Sequence, residues 1–209
     1  VSMSGSKTIN ERISLLNKCE KIIFNSEWSK KQFLLKLNSF YYKSKKLEVI
    51  QELINKTKIN FNKKKKIISF IGKLNSSKGY DIFGKAILKI LNKYDDWSAI
   101  VIGDEPRQKF FFEHENLNHL GFKENSYILN KLKEVSIATV PSRWDEPFGR
   151  SSLEAASRGC ALIISNTGGL SETTNKAIIL NKISEDELFN KIDYLIKNKK
   201  YRNSLQKVT

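Results

Sequence analysis

A doubly wound parallel α/β sheet is the fold that this 209-residue sequence predicts, on three observations. From Lys63 onward, short apolar runs alternate with amphipathic stretches, strand then helix, the order that lays parallel strands side by side. Two of those runs, 67–71 and 98–102, end in glycine, at Gly72 and Gly103, where a strand gives way to a loop. Between them, apolar residues at 82, 83, 86, 87, 90 and 91 follow the helical period and predict a helix over about 80–93.

The other elements follow in order. The first segment reads as a helix, then a strand at 21–26, then a second helix from Ser29, whose hydroxyl is a candidate N-cap, to about Leu37. A polar, Lys-rich stretch comes next. Beyond residue 102 the pattern predicts a short strand at 118–121, a helix over 126–135 and a strand at 137–140. A loop around Glu146 then leads into a helix opening near Arg150, followed by strands at 161–165 and 177–180. A helix over about 185–197 is introduced by Ser184 with Glu187 three residues on, a capping-box arrangement, and a helical pattern runs on from there. In a sheet of this kind ligands bind beyond the carboxyl ends of the strands, and the loops of Gly72, Gly121 and Glu146 all leave from such ends. Three motifs are thereby expected to converge on one crevice.

The length suits one large or one and a half ordinary domains, and 40% hydrophobic residues are enough for a buried core. No apolar run approaches the roughly 20 residues that span a bilayer, and the start lacks a signal-peptide layout, so the expected setting is cytoplasmic. Cys19 and Cys160 are far apart, without disulfide or metal spacing. The net charge of +15 is almost all lysine, with arginine only at 12, 107, 143, 150, 158 and 202, which disfavours nucleic-acid recognition. The same charge suits anionic lipid headgroups, so peripheral membrane contact, at the inner face, stays open.

The chemistry gathers in Glu146-Pro147-Phe148-Gly149-Arg150-Ser151-Ser152-Leu153-Glu154, where two carboxylates flank a glycine turn that opens a helix. Gly149 lets a ligand approach the backbone, and the first N–H groups of the helix form an anion site. A carboxylate only accepts hydrogen bonds, so Glu146 and Glu154 suit hydroxyls, and Glu154 can bridge a vicinal diol such as ribose presents. The pattern points to a nucleotide sugar. Spacing alone proves little, since on the order of one such pair arises by chance in a chain this size, and Glu105 with Glu113 is one.

Taken with Gly72-Lys73-Leu74-Asn75-Ser76-Ser77-Lys78-Gly79 upstream and Thr167-Gly168-Gly169-Leu170-Ser171-Glu172 downstream, this set resembles the carboxy-terminal domain of the retaining GT-B glycosyltransferases of family 4, over roughly residues 46–209. The resemblance implies the Rossmann-like, nucleotide-sugar-binding half of such an enzyme. Residues 1–45 would be the terminal strand and helices of an otherwise missing amino-terminal domain plus linker, and the chain would be truncated at both ends. The donor would be UDP- or GDP-linked, transferred with retention to a polysaccharide or glycolipid acceptor bound by the missing domain, as in lipopolysaccharide biosynthesis.

By resemblance Glu146 orients the donor sugar, Glu154 anchors the ribose, and the backbone of Phe148, Gly149 and Arg150 meets the diphosphate. Lys73 and Lys78, beside Gly72, would neutralise the leaving diphosphate, where fixed cations help most. The family usually has arginine at the first of these positions, so Lys73 is a point charge where a fork is common. Leu120-Gly121-Phe122-Lys123 resembles the loop that packs against the base, and Glu172 lies in the loop below the donor. The bland readings are solvated loop lysines for Lys73 and Lys78, against which stand the flanking glycines and the preceding strand, and for Glu154 a partner of the helix dipole, a role compatible with ligand binding.

No cofactor is implied beyond the donor itself. Only the adjacent Asp95-Asp96 occurs, not Asp-x-Asp, so no metal is expected. His114 and His119 are five apart and miss the one-face spacing of a zinc helix. Trp97 and Trp28 read as packing residues, while Trp144, beside Asp145, is a candidate wall of the sugar site. The alternatives are a related GT-B glucan synthase or phosphorylase, and a non-catalytic basic module for nucleic acid or a membrane surface.

Overall fold

The computed structural model describes residues 14, 16–36, 46–55, 58–108 and 110–207. Most of the expected amino-terminal helix, the end of the second helix at Leu37 and the polar stretch after it lie outside them. The chain forms two compact units, 1–52 and 53–209.

In the first unit, β1 (Ile22–Phe24) and β2 (Leu47–Val49) pair in parallel, with α1 (Glu27–Leu35) between them in sequence. Leu47–Val49, which pairs with Ile22–Phe24, falls within this unit, which extends to residue 52. The helix begins earlier than expected. Its N-cap is Ser26, not Ser29: the extended Ser26 accepts the Ser29 N–H at 2.9 Å, while the Ser29 hydroxyl donates to Asn25 Oδ1.

The second unit contains β3 (Ile67–Ile71), α2 (Tyr80–Lys93), β4 (Ser98–Ile102), β5 (Leu117–His119), α3 (Asn125–Leu132), β6 (Ile137–Val140), α4 (Arg150–Ser157), β7 (Ala161–Ser165), β8 (Ile178–Leu180), α5 (Glu185–Lys197) and α6 (Lys199–Gln206). Its strands form one parallel sheet in the order β5-β4-β3-β6-β7-β8. The period-2 alternation of each strand sorts its side chains onto two cores. Ile68, Phe70, Ala99, Val101, Ile137 and Ile163 face the core built with α2, α5 and α6, whereas Ile67, Ile100, Ile102, Ala138, Leu162 and Ile164 face the one built with α3 and α4. All six apolar positions read from the period of α2 are buried.

Local details shift by a few residues. The expected strand at 118–121 is Leu117–His119, since beyond it Gly121 adopts a left-handed turn, and the expected helix over 126–135 is Asn125–Leu132. Ser184 caps α5 as expected, but Glu187 does not close the box. Its carboxylate instead accepts the backbone N–H groups of Asn181 and Lys182.

Asp193 locks α5 to α2, accepting from Tyr94 Oη at 2.7 Å and pairing with Lys93 at 2.8 Å and Lys197 at 2.7 Å. Burial pushes its carboxyl upward, but the hydrogen bonds from Lys197, Lys93 and Tyr94 outweigh it and hold it at about 2, below the ordinary 3.8. A carboxylate depressed in the folded state contributes stability above its unfolded value, and that contribution is lost as pH falls through the folded value. The thermal midpoint is therefore expected to drop between about pH 4 and pH 2, with a shallower drop in Asp193→Asn. Equal slopes in the two proteins would refute this.

Candidate donor-binding cleft

The chain runs outward through β3, β4 and β5 and then returns to place β6 on the other side of β3. The loops after β3 and β6 diverge at that switch point, and between them lies a cleft of about 270 Å³. Gly72, Lys78, Glu146, Gly149, Arg150, Ser151 and Glu154 line it, together with the ends of β3 and β6. Six residues singled out in the sequence thus meet in one place.

The two loops are bound to each other. Ser77 O accepts the backbone N–H groups of Arg143 and Trp144 at 2.8 and 3.0 Å, and Arg143 grips the Asp81 carboxylate through both Nη atoms, at 2.7 and 2.8 Å. Lys78 Nζ pairs directly with Glu146, and Ser142 Oγ donates to the same Glu146 oxygen at 3.1 Å. Both partners of the ion pair are mostly shielded, so charge in the cleft is held in place before any ligand arrives. Behind Glu146, its carbonyl accepts the Gly169 N–H at 2.6 Å, and Gly168, at φ +59°, packs so closely that a Cβ would stand 2.1 Å from the Glu146 oxygen.

Gly149, at φ +106°, is the N-cap of helix α4, and with Arg150 and Ser151 it places the first turn of that helix, the end where backbone N–H groups lack intrahelical partners, in the cleft lining. Glu154, one turn into α4, is 7% exposed. Its Oε1 accepts from Asn125 Nδ2 at 2.7 Å and lies 3.5 Å from Arg150 Nη2, while Oε2 has no partner among the described residues.

The remaining sequence candidates sit around this cleft, not in its lining. Phe148 buries its side chain, leaving only its backbone for a ligand. Lys73 is exposed and has no ion pair among the described residues. Phe122 is exposed and Lys123 lies 5.5 Å from the Tyr127 ring, on the loop whose Gly121 carbonyl accepts the Gly103 N–H at 2.9 Å. Trp144 is 59% exposed, in a shallow depression with Ser76, Ser77, Asp81 and Arg143. Trp97 is buried in the core, as expected. His119 Nε2 lies 3.0 Å from Phe112 O, and among the described residues no cluster of His, Cys, Asp or Glu could hold a metal.

Two residues escaped the sequence reading. Asn125 is the first residue of α3, just after the N-cap Glu124, and its side chain reaches across to Glu154; its signal in the sequence was its polarity at the mouth of a predicted helix. Glu105, set aside as a coincidence of spacing, is buried and braces the Gly72 loop by accepting from Asn75 Nδ2 at 3.2 Å. Hydrogen bonds from Arg107 hold its carboxyl at about 2.

The family described as "Glycosyl transferases group 1" matches residues 51–209. A lipopolysaccharide core biosynthesis mannosyltransferase of Rhizobium meliloti is 27% identical over 118 residues, covering 52% of this chain and 33% of that one. The chain spans about a third of the length of the curated relatives it first matches. Among solved structures, Anabaena HepE in complex with UDP and glucose superposes with a TM-score of 0.73 at 18% identity, over 95% of this chain and 60% of that one. The C-terminal domain of a group 1 family glycosyl transferase from Francisella tularensis gives a TM-score of 0.60 at 26% identity, over 68% of this chain and 80% of that one. In each case the shared architecture is the GT-B Rossmann-like domain.

Proposed function

The chain belongs to the glycosyl transferases group 1 family, and on that premise we propose that its second unit is the donor half of a retaining, metal-independent enzyme of GT-B family 4. It takes a nucleoside-diphosphate sugar and passes the sugar to a polysaccharide or glycolipid acceptor. The first unit is the end of an amino-terminal domain that supplies the acceptor site. The observation that carries this reading is the cleft at the switch point, whose lining combines the start of a helix, a shielded lysine and two carboxylates.

Each group has work that fits its chemistry. The N–H groups at Gly149 and Arg150, with the Phe148 backbone and the bare Gly72, receive the diphosphate. Lys78, held by Glu146, and Lys73, on the exposed rim, offset the charge that grows on the diphosphate as the glycosidic bond breaks. Glu146 then turns to a hydroxyl of the donor sugar, and Glu154 offers its uncommitted oxygen to the ribose diol. Phe122 and Lys123 flank the base. The solved relative with UDP and glucose supports a uridine donor, and the Rhizobium mannosyltransferase supports a cell-surface acceptor.

Calorimetric titration with UDP, GDP, ADP and their sugar conjugates tests this. One nucleoside diphosphate is expected to bind selectively and to stay bound at moderate salt. Binding that ignores the base and vanishes with salt would instead favour a basic binding module.

A further inference from the structure

A second cavity, of about 430 Å³, lies between the segment leading into β3 and the final helix α6. Its walls include Lys65 and Lys66, just before β3, and Ser136, just before β6. The donor cleft lies past the other ends of these same two strands, so the length of the sheet separates the two sites.

Six of its eleven lining residues are basic, namely Lys64, Lys65, Lys66, Lys199, Arg202 and Lys207, and none is acidic. They are not equivalent. Lys64 is structural, donating to the carbonyls of Leu132, Val135 and Arg158 at 3.0, 2.7 and 2.7 Å and so pinning its segment. Lys65 and Lys66 pair with Glu134 and Asp96. The other three keep their charge for the cavity. Lys199 and Lys207 are exposed and have no carboxylate partner among the described residues. Arg202 is only 7% exposed; its Nη1 donates to the carbonyls of Leu195 and Ile196, and its guanidinium lies 5.1 Å from the Trp97 ring centroid. Its Nε and Nη2 have no acceptor among the described residues.

A buried guanidinium with donors to spare, between two lysines free of carboxylates, matches a compact anion with several oxygens. We propose that this cavity is a phosphoryl-anion site, occupied by phosphate or by a phosphate-bearing headgroup, in which Arg202 supplies the fork and Lys199 and Lys207 the surrounding charge. It does not depend on the donor assignment.

The test is calorimetric titration with inorganic phosphate, alongside co-sedimentation with phosphatidylcholine vesicles with and without phosphatidic acid. Both are run on the chain, on the Lys199→Glu/Lys207→Glu double variant and on Arg202→Lys. The double variant changes exposed side chains only, so its thermal midpoint should hold while affinity falls about tenfold or more. Arg202→Lys keeps the charge and should still weaken binding several-fold. Binding of phosphate supports the site with a soluble ligand, and binding of the acidic vesicles alone supports it with a lipid one. Failure of the wild-type chain to bind either probe, or binding unchanged in the double variant, overturns the proposal.

Discussion

Replacing Glu154 by alanine is expected to weaken nucleoside diphosphate binding by about 10- to 150-fold, the equivalent of about 1.5 to 3 kcal/mol for a hydrogen bond to a charged group. The carboxylate is 7% exposed, so it meets a ligand hydroxyl where water competes poorly. Asn125 and Arg150 hold one of its oxygens, and the other, without a partner among the described residues, is the one proposed to meet the ribose. Glu154→Gln should lose less, because an amide of the same shape keeps one acceptor, though it sets a second NH2 group against that of Asn125. The comparison ligand is the matching 2′,3′-dideoxynucleoside diphosphate, whose affinity should be nearly the same for wild type and Glu154→Ala. If Glu154→Ala binds the ribonucleotide as well as wild type does, the ribose assignment is wrong.

The largest stability effect is expected from Gly103→Ala, at about 3 kcal/mol or more. Gly103 has φ +138°, and a Cβ there would stand 1.9 Å from the Gly72 carbonyl oxygen, while Gly72 N in turn donates to Ile102 O at 3.0 Å. Both neighbours are backbone at the tips of adjacent strands, so neither can rotate away. Relief requires the loops after β3 and β4 to part, which also moves Gly72 out of the donor cleft. Gly121→Ala is the control. Its φ is +68° but nothing lies within 4 Å of a Cβ, so only the left-handed strain of about 1 kcal/mol applies. Urea unfolding of the two variants measures the difference, and equal losses would show that the Gly72 contact is unimportant.

Much of the fold was legible because its signals are local. The strands at 67–71, 98–102, 137–140 and 161–165 and the helix at 80–93 match the structure residue for residue, since apolar runs and a 3.6-residue period are properties of a short window. Caps were read less well. Ser26 and Ser29 are both good capping residues, and which hydroxyl turned inward depended on where β1 ended. Glu187 likewise had a choice of N–H partners, and the turn after β8 brought those of Asn181 and Lys182 closer than that of Ser184.

The sequence by itself determined the element order, and with it the parallel sheet and the set of loops at its carboxyl end. It also showed the pair of carboxylates around a glycine turn, because that motif is contiguous. Tertiary structure alone decided that Lys78 would hold Glu146, that Asn125 would hold Glu154, that Gly103 would press on Gly72, and that Lys199 and Lys207 would share a cavity with the 61–66 segment. Periodicity and propensity act over a few residues, whereas these partners are brought together by strand order and loop geometry, which place distant parts of the chain within hydrogen-bonding reach only after the sheet has formed.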